Sequence, residues 1–117
     1  MTQTLREISA REVSAKLLAG EKFTILDVRE PWELTQARLT DERVLNLPMS
    51  KIGRSLKEAF PVELRAPATE IVVMCHHGVR SANVAIWMQQ NGWTNVSSLQ
   101  GGIEDYAREV DPQVGRY

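Results

Sequence analysis

Apolar side chains recur along the chain with two periods, and the switches between them mark out its elements. Leu5 to Ile8 reads as a short opening strand. A helix follows from Ser9, where Ser9 and Glu12 fit a capping box and Ile8 and Val13 stand where a hydrophobic staple would. Val13, Leu17 and Leu18 supply its buried stripe, and Gly20 is its stop. Phe23 to Val28 is dense in apolar and β-branched residues, as strands are. Glu30-Pro31 closes it, with Pro31 suited to the first turn of a short helix. Val44 to Leu47 is a weaker strand. Ile52, Leu56, Ala59 and Phe60 follow helical spacing up to Pro61. Glu70 to Met74 carries a continuous apolar run, as expected of a parallel strand covered on both faces. Ser81 to Asn91 reads as a helix with Ala82, Ala85, Ile86 and Gln89 on one side. Val96 to Leu99 is a last strand, and Ile103 to Val110 a last helix after Gly101-Gly102. This alternation predicts one α/β domain over residues 1–117, with a central, mainly parallel sheet between layers of helices.

Composition narrows the function. A hydrophobic content of 43% is too high for a disordered chain. Fourteen basic against fifteen acidic residues leave a net charge of -1, which argues against a nucleic-acid partner that needs a basic face. The single cysteine excludes an internal disulfide and a Cys-x-x-Cys pair. It also means that any partner thiol must come from outside the chain. Cys75, His76 and His77 are the only Cys and His residues, and consecutive residues do not converge readily on one ion, so no metal and no other cofactor is expected. Met1 to Ser9 is polar, and the longest apolar run, Ile71 to Cys75, is too short to cross a bilayer. A cytoplasmic protein with no membrane partner is the expectation, and a domain of this size can stand as a monomer.

The chemistry gathers at that cysteine. Cys75 ends the central strand and Ser81 opens the next helix, the place where open α/β sheets bind ligands. Between them run His76, His77, Gly78, Val79 and Arg80. A loop entering a helix N-terminus turns main-chain N–H groups inward, and the helix dipole adds positive potential. Gly78 allows the tight curl and Arg80 adds a fixed charge. All of these favour a thiolate over a thiol. A buried, inert cysteine is the commoner case, but it needs no glycine turn, two histidines and an arginine after it.

At these residues the sequence resembles the rhodanese-like domain family. Cys75-His76-His77-Gly78-Val79-Arg80-Ser81 resembles its active-site loop, Asp27-Val28-Arg29-Glu30-Pro31-Trp32-Glu33 its early motif, and Leu99-Gln100-Gly101-Gly102-Ile103 the motif before its last helix. The closing Val110 to Tyr117 is similar to the tail of bacterial single-domain members. The resemblance implies about five parallel strands flanked by helices, and transfer of a sulfane sulfur from thiosulfate or a related small anionic donor to a thiol, cyanide or a protein acceptor. Cys75 would be the nucleophile that carries the sulfur as a persulfide. His76 to Ser81 would present N–H groups to it, Arg80 would attract the donor or brace the loop, and Asp27, beside Arg29, would brace Arg80. For Asp27 and Arg29 the other reading is a strand-end surface pair of little worth. His76 and His77 read equally as exposed side chains at a pocket mouth or as substrate contacts.

Two rivals remain in view. Some rhodanese-like domains are non-catalytic binding modules, though Cys75 is present here. Cysteine-dependent phosphatases and arsenate reductases resemble a cysteine, five residues and an arginine, whereas four residues separate Cys75 from Arg80. A shorter loop suits a single sulfur rather than a phosphate. Ala37 to Leu45 departs from the family's pattern, so the path there is open, and a family tryptophan after the Gly-Gly turn is replaced by Tyr106 or displaced. Trp87 and Met88 read as core or flank, and Trp93 as packing near the Asn91-Gly92 stop. Lys51, Arg54 and Lys57 form a basic face, solvated or suited to an acidic partner.

Overall fold

The computed structural model describes residues 4–117; the first three residues of the expected domain lie outside the described residues. Five strands form one sheet: β1 (Glu7–Ile8), β2 (Thr24–Asp27), β3 (Val44–Asn46), β4 (Ile71–Met74) and β5 (Val96–Leu99). Every pairing is parallel and the order is β1-β5-β4-β2-β3. The helices are α1 (Ala10–Leu18), α2 (Met49–Ser55), α3 (Val79–Gln90) and α4 (Gly102–Glu109). Short 3-10 turns at Pro31–Thr35, Leu56–Ala59, Val62–Leu64 and Pro112–Val114 fill the connections. Among the described residues no helix is long and apolar enough to cross a membrane.

The sheet divides two cores by simple alternation. Ile71, Val73 and Cys75 face one cluster with Leu26, Val28, Phe60, Val84, Met88 and Trp93. Val72 and Met74 face the other, with Val13, Ile25, Leu99, Ile103 and Tyr106. All four residues of β4 are buried, which is why that strand reads as an unbroken apolar run. β2 and β4 are neighbours in register, Asp27 beside Met74. From them the chain leaves in opposite directions, to β3 and to β5, so their C-terminal ends frame a crevice.

Local chemistry explains the element ends. The Ser9 hydroxyl accepts from the Glu12 N–H, and the Glu12 carboxylate accepts from the Ser9 N–H, each at 3.1 Å. At the other end of α1, Gly20 at φ 71 closes a Schellman turn. Its N–H donates to Leu17 O, and Glu21 N–H donates to Lys16 O.

Several expectations shift. Leu18 is not part of the buried stripe of α1; it is 87% exposed. The helix expected through Phe60 breaks at Leu56, which takes φ 51 and turns outward. Packing overrides the helical period there, because Phe60 leaves the helix to lie against Trp87 and Trp93. The Trp93 Nε1–H donates to Leu64 O at 2.7 Å, which settles that ring near the Asn91-Gly92 stop. The buried face of α3 is Ser81, Val84, Ala85 and Met88 rather than Ala82, Ala85, Ile86 and Gln89. The open stretch after the early motif stays irregular to β3, with Ala37 and Leu39 buried and Asp41 held by the Arg43 guanidinium and N–H.

Replacing Ser9 by alanine removes half of the capping box and should lower stability by about 1 kcal/mol, read as a lower urea midpoint at unchanged slope.

Candidate active site

α3 starts at Val79, two residues earlier than the sequence suggests, and the reason is the sulfur. Gly78 sits at the N-cap with φ 101 and has no side chain to cap the helix. The Cys75 Sγ takes that part. It accepts from the Gly78 N–H at 3.1 Å and from the Ser81 N–H at 3.3 Å, so two otherwise unpaired helix donors end on one sulfur. The Ser81 hydroxyl lies 3.4 Å from Sγ, 3.2 Å from Gly78 O and 2.8 Å from the hydroxyl of Ser98 on β5. Ser81, Ser98 and Cys75 are all buried. The thiol can donate to the Ser81 hydroxyl, whereas the two N–H groups aimed at the sulfur suit a negative charge there.

The back of the loop is held by the Gly101-Gly102 turn. The N–H groups of Ile103 and Glu104, in the first turn of α4, donate to Cys75 O and His76 O at 2.9 and 3.1 Å. One helix thus receives the sulfur and another grips the carbonyls behind it. The approach is so close that a Cβ on Gly102 would lie 2.3 Å from His76 O, at φ 63.

Two ion pairs flank the loop. Asp27 does not brace Arg80, as expected from the motif; it is captured by Arg29, two residues on. The Asp27 carboxylate accepts from Arg29 N, Nε and Nη2 at 3.1, 3.0 and 2.8 Å, and both side chains are buried. They are therefore not a strand-end surface pair either. Asn46, at the end of β3, donates to Asp27 O and Arg29 O and ties this turn to the sheet. The brace of Arg80 is Glu33, which accepts from both terminal nitrogens at 2.7 and 2.8 Å. Sequence reasoning passed over Glu33. Its signal was the spacing in Glu30-Pro31-Trp32-Glu33, where an acid at the third helical position reaches back to the Glu30 N–H, here at 2.9 Å.

His76 and His77 separate. His77 is exposed, while the His76 ring lies stacked between His77 at 3.8 Å and Tyr117 at 3.7 Å. His76 Nε2 is buried without a hydrogen-bond partner. Val79 is exposed at the mouth, at 70%. Among the described residues no group of three His, Cys, Asp or Glu side chains gathers as metal ligands.

The sequence matches the rhodanese-like domain over residues 9–109. The chain belongs to this family. A relative from Actinobacillus pleuropneumoniae, thiosulfate sulfurtransferase GlpE, is 31% identical over 112 residues, 96% of this chain and 95% of that one. The rhodanese-like/PpiC domain-containing protein 12, chloroplastic, of Arabidopsis thaliana is 29% identical, and this chain spans only 38% of its length. The crystal structure of a rhodanese-related protein from Thermoplasma volcanium superposes with a TM-score of 0.70 at 30% identity, covering 90% of this chain and 93% of that one.

The electrostatics of this rhodanese-like domain follow from the two pairs. The Arg80 guanidinium is the main force holding the Glu33 carboxyl down, to a pKa of about 2; burial opposes it, and the Glu30 N–H and Tyr117 add to it. Glu33 in turn pushes Arg80 further up. Burial works against the Arg29 charge, but its bonds to Asp27 and Tyr117 prevail and its pKa is raised. Burial, then the neighbouring His77, lowers the pKa of His76, against the pull of a hydrogen bond with the Tyr117 backbone. At neutral pH His76 is an uncharged ring.

Glu33 is a depressed acid, so its stabilisation is complete above its ordinary value of 4.5 and is lost as pH falls toward 2. Glu33→Gln should be less stable at neutral pH and lose less stability across that window, measured as urea midpoints against pH. Gly102→Ala adds a backbone clash to the backbone strain and should cost about 3 kcal/mol or more in urea unfolding. Gly20→Ala, also at positive φ but with nothing within 4 Å of its Cβ, carries only the backbone strain and should cost less.

Proposed function

We propose that this rhodanese-like domain is a sulfurtransferase that moves a sulfane sulfur from thiosulfate or a related anionic donor to a thiophilic acceptor through a Cys75 persulfide. The observation that carries the reading is the pair of N–H donors, from Gly78 and Ser81, that end on Cys75 Sγ.

In the first half-reaction the Cys75 thiolate attacks the outer sulfur of thiosulfate. A new S–S bond forms, the donor's S–S bond breaks, and sulfite leaves with the bonding pair. The outer sulfur of the persulfide then carries the negative charge, one bond further into the loop mouth. In the second half-reaction an acceptor such as cyanide attacks that sulfur. The persulfide bond breaks, thiocyanate departs and the Cys75 thiolate returns. Each half-reaction is a displacement at sulfur, with a covalent intermediate between them. The N–H groups of the loop and the first turn of α3 stabilise whichever sulfur bears the charge. Arg80, held by both oxygens of Glu33, acts chiefly as a brace that sets the width of the loop. The four-residue spacing from Cys75 to Arg80 supports sulfur over phosphate, because the curl closes on one atom. The family relationship supports the reaction class.

Incubating the protein with thiosulfate and taking an intact mass tests this. The expected gain is one sulfur atom on the wild type, none on Cys75→Ser, and loss of the gain on adding cyanide. Failure to take up sulfur from thiosulfate, polysulfide and glutathione persulfide would overturn the reading.

A further inference from the structure

The segment after α4 returns across the site. Asp111 caps a 3-10 turn over Pro112–Val114, its side chain accepting from the Gln113 N–H at 3.0 Å. Val114 is buried, and its carbonyl accepts from the Arg38 N–H at 2.7 Å. At Gly115, φ 93, a Cβ would lie 2.7 Å from Gln36 O, so the segment presses against the stretch that follows the early motif. Arg116 donates through Nε and Nη2 to Glu104 on α4, at 2.9 and 2.6 Å. The path is therefore pinned on both sides before it reaches Tyr117.

Tyr117 then touches three parts of the site at once. Its hydroxyl donates to Glu33 Oε1 at 2.8 Å and accepts from Arg29 Nη1 at 3.1 Å, joining the two ion pairs. Its ring lies on the His76 imidazole at 3.7 Å and 6°. The Arg29 guanidinium carbon is 5.8 Å from the ring centre. Burial, partly opposed by Arg29, keeps the phenol protonated, so it is a donor toward the Glu33 carboxylate at neutral pH.

We propose that Tyr117 is a positioning residue of this site, acting through Glu33 on Arg80 and through its ring on His76. The proposal rests on Cys75 being the site's nucleophile. Glu33 Oε1 is shared between the Tyr117 hydroxyl and Arg80 Nη2, so the phenol fixes the oxygen to which the arginine is tied. Arg80 stands in the first turn of α3, one residue before Ser81, whose N–H donates to Cys75 Sγ at 3.3 Å. Freeing the carboxylate loosens Arg80 and with it the first turn of α3, whose N–H donors end on the sulfur, while loss of the ring frees the residue next to the nucleophile.

The test compares wild type, Tyr117→Phe, Tyr117→Leu, Glu33→Gln and the double variant Tyr117→Phe with Glu33→Gln. Cys75 alkylation by iodoacetamide is followed against pH beside sulfur uptake and turnover with thiosulfate. Tyr117→Phe keeps the stack and removes the hydroxyl. It should raise the pH midpoint of alkylation by roughly half a unit and lower kcat/KM by roughly threefold. In the Glu33→Gln background, where the carboxamide can still accept from the phenol but no longer holds Arg80 by charge, the same change should move both less. Tyr117→Leu should cost more turnover than Tyr117→Phe. Looser packing alone would change the plateau rate and leave the midpoint where it was. An unmoved midpoint in Tyr117→Phe, or an equal shift with and without Glu33, overturns the proposal. If the wild type takes up no sulfur while its midpoint still responds to Tyr117→Phe, the sulfurtransferase reading fails and the positioning role stands.

Discussion

Everything at this site depends on two main-chain N–H groups that have only a sulfur to bond. A helix that begins with glycine at its cap has no side-chain acceptor for its first donors, and such donors are costly to bury unpaired. Cys75 Sγ meets that need for Gly78 and Ser81. The same two bonds start α3, curl the loop and set the sulfur in a field that favours negative charge. Under the proposed function, structure and reactivity are not separate demands on this residue. The group that organises the helix N-terminus is also the group toward which the helix points its first donors.

The surrounding architecture serves to keep that loop from relaxing. Parallel registry sets the early motif beside the end of β4, so Asp27, Arg29 and Glu33 come up alongside it. α4 meets it from the other side and takes the carbonyls of Cys75 and His76. The loop is thus held through its donors by a sulfur and through its acceptors by a helix, with only the His77 and Val79 side chains exposed at the mouth. Such a backbone can receive a charged sulfur without reorganising, which is where fixed dipoles are most effective.

Much of this was legible in the sequence, for physical reasons that differ by element. The capping box at Ser9, the two-faced burial of β4 and the loop between Cys75 and Ser81 are local matters, set by residues a few positions apart. The break at Leu56 was not legible, because Phe60 answers to Trp87 and Trp93 rather than to its own helix. The partner of Arg80 was also missed. Asp27 and Glu33 belong to one motif and carry one charge, and only the fold decides that Asp27 turns back on Arg29 while Glu33 reaches across 47 positions. The hydroxyl of Tyr117, 84 positions from Glu33, lies further still beyond any local pattern.

The pairing of the arginines has one more consequence. Arg29, Arg80 and Arg116 each face a carboxylate, from Asp27, Glu33 and Glu104, and His76 is uncharged at neutral pH. Around the sulfur the formal charges nearly cancel, and what remains is a converging set of peptide dipoles. The field of a dipole dies away faster with distance than that of a charge, so this mouth exerts little pull on ions diffusing past. Under the proposed function such a mouth would discriminate on contact, by whether an anion can seat itself against the loop, and would give up long-range capture in exchange for a binding step that salt in the medium barely disturbs.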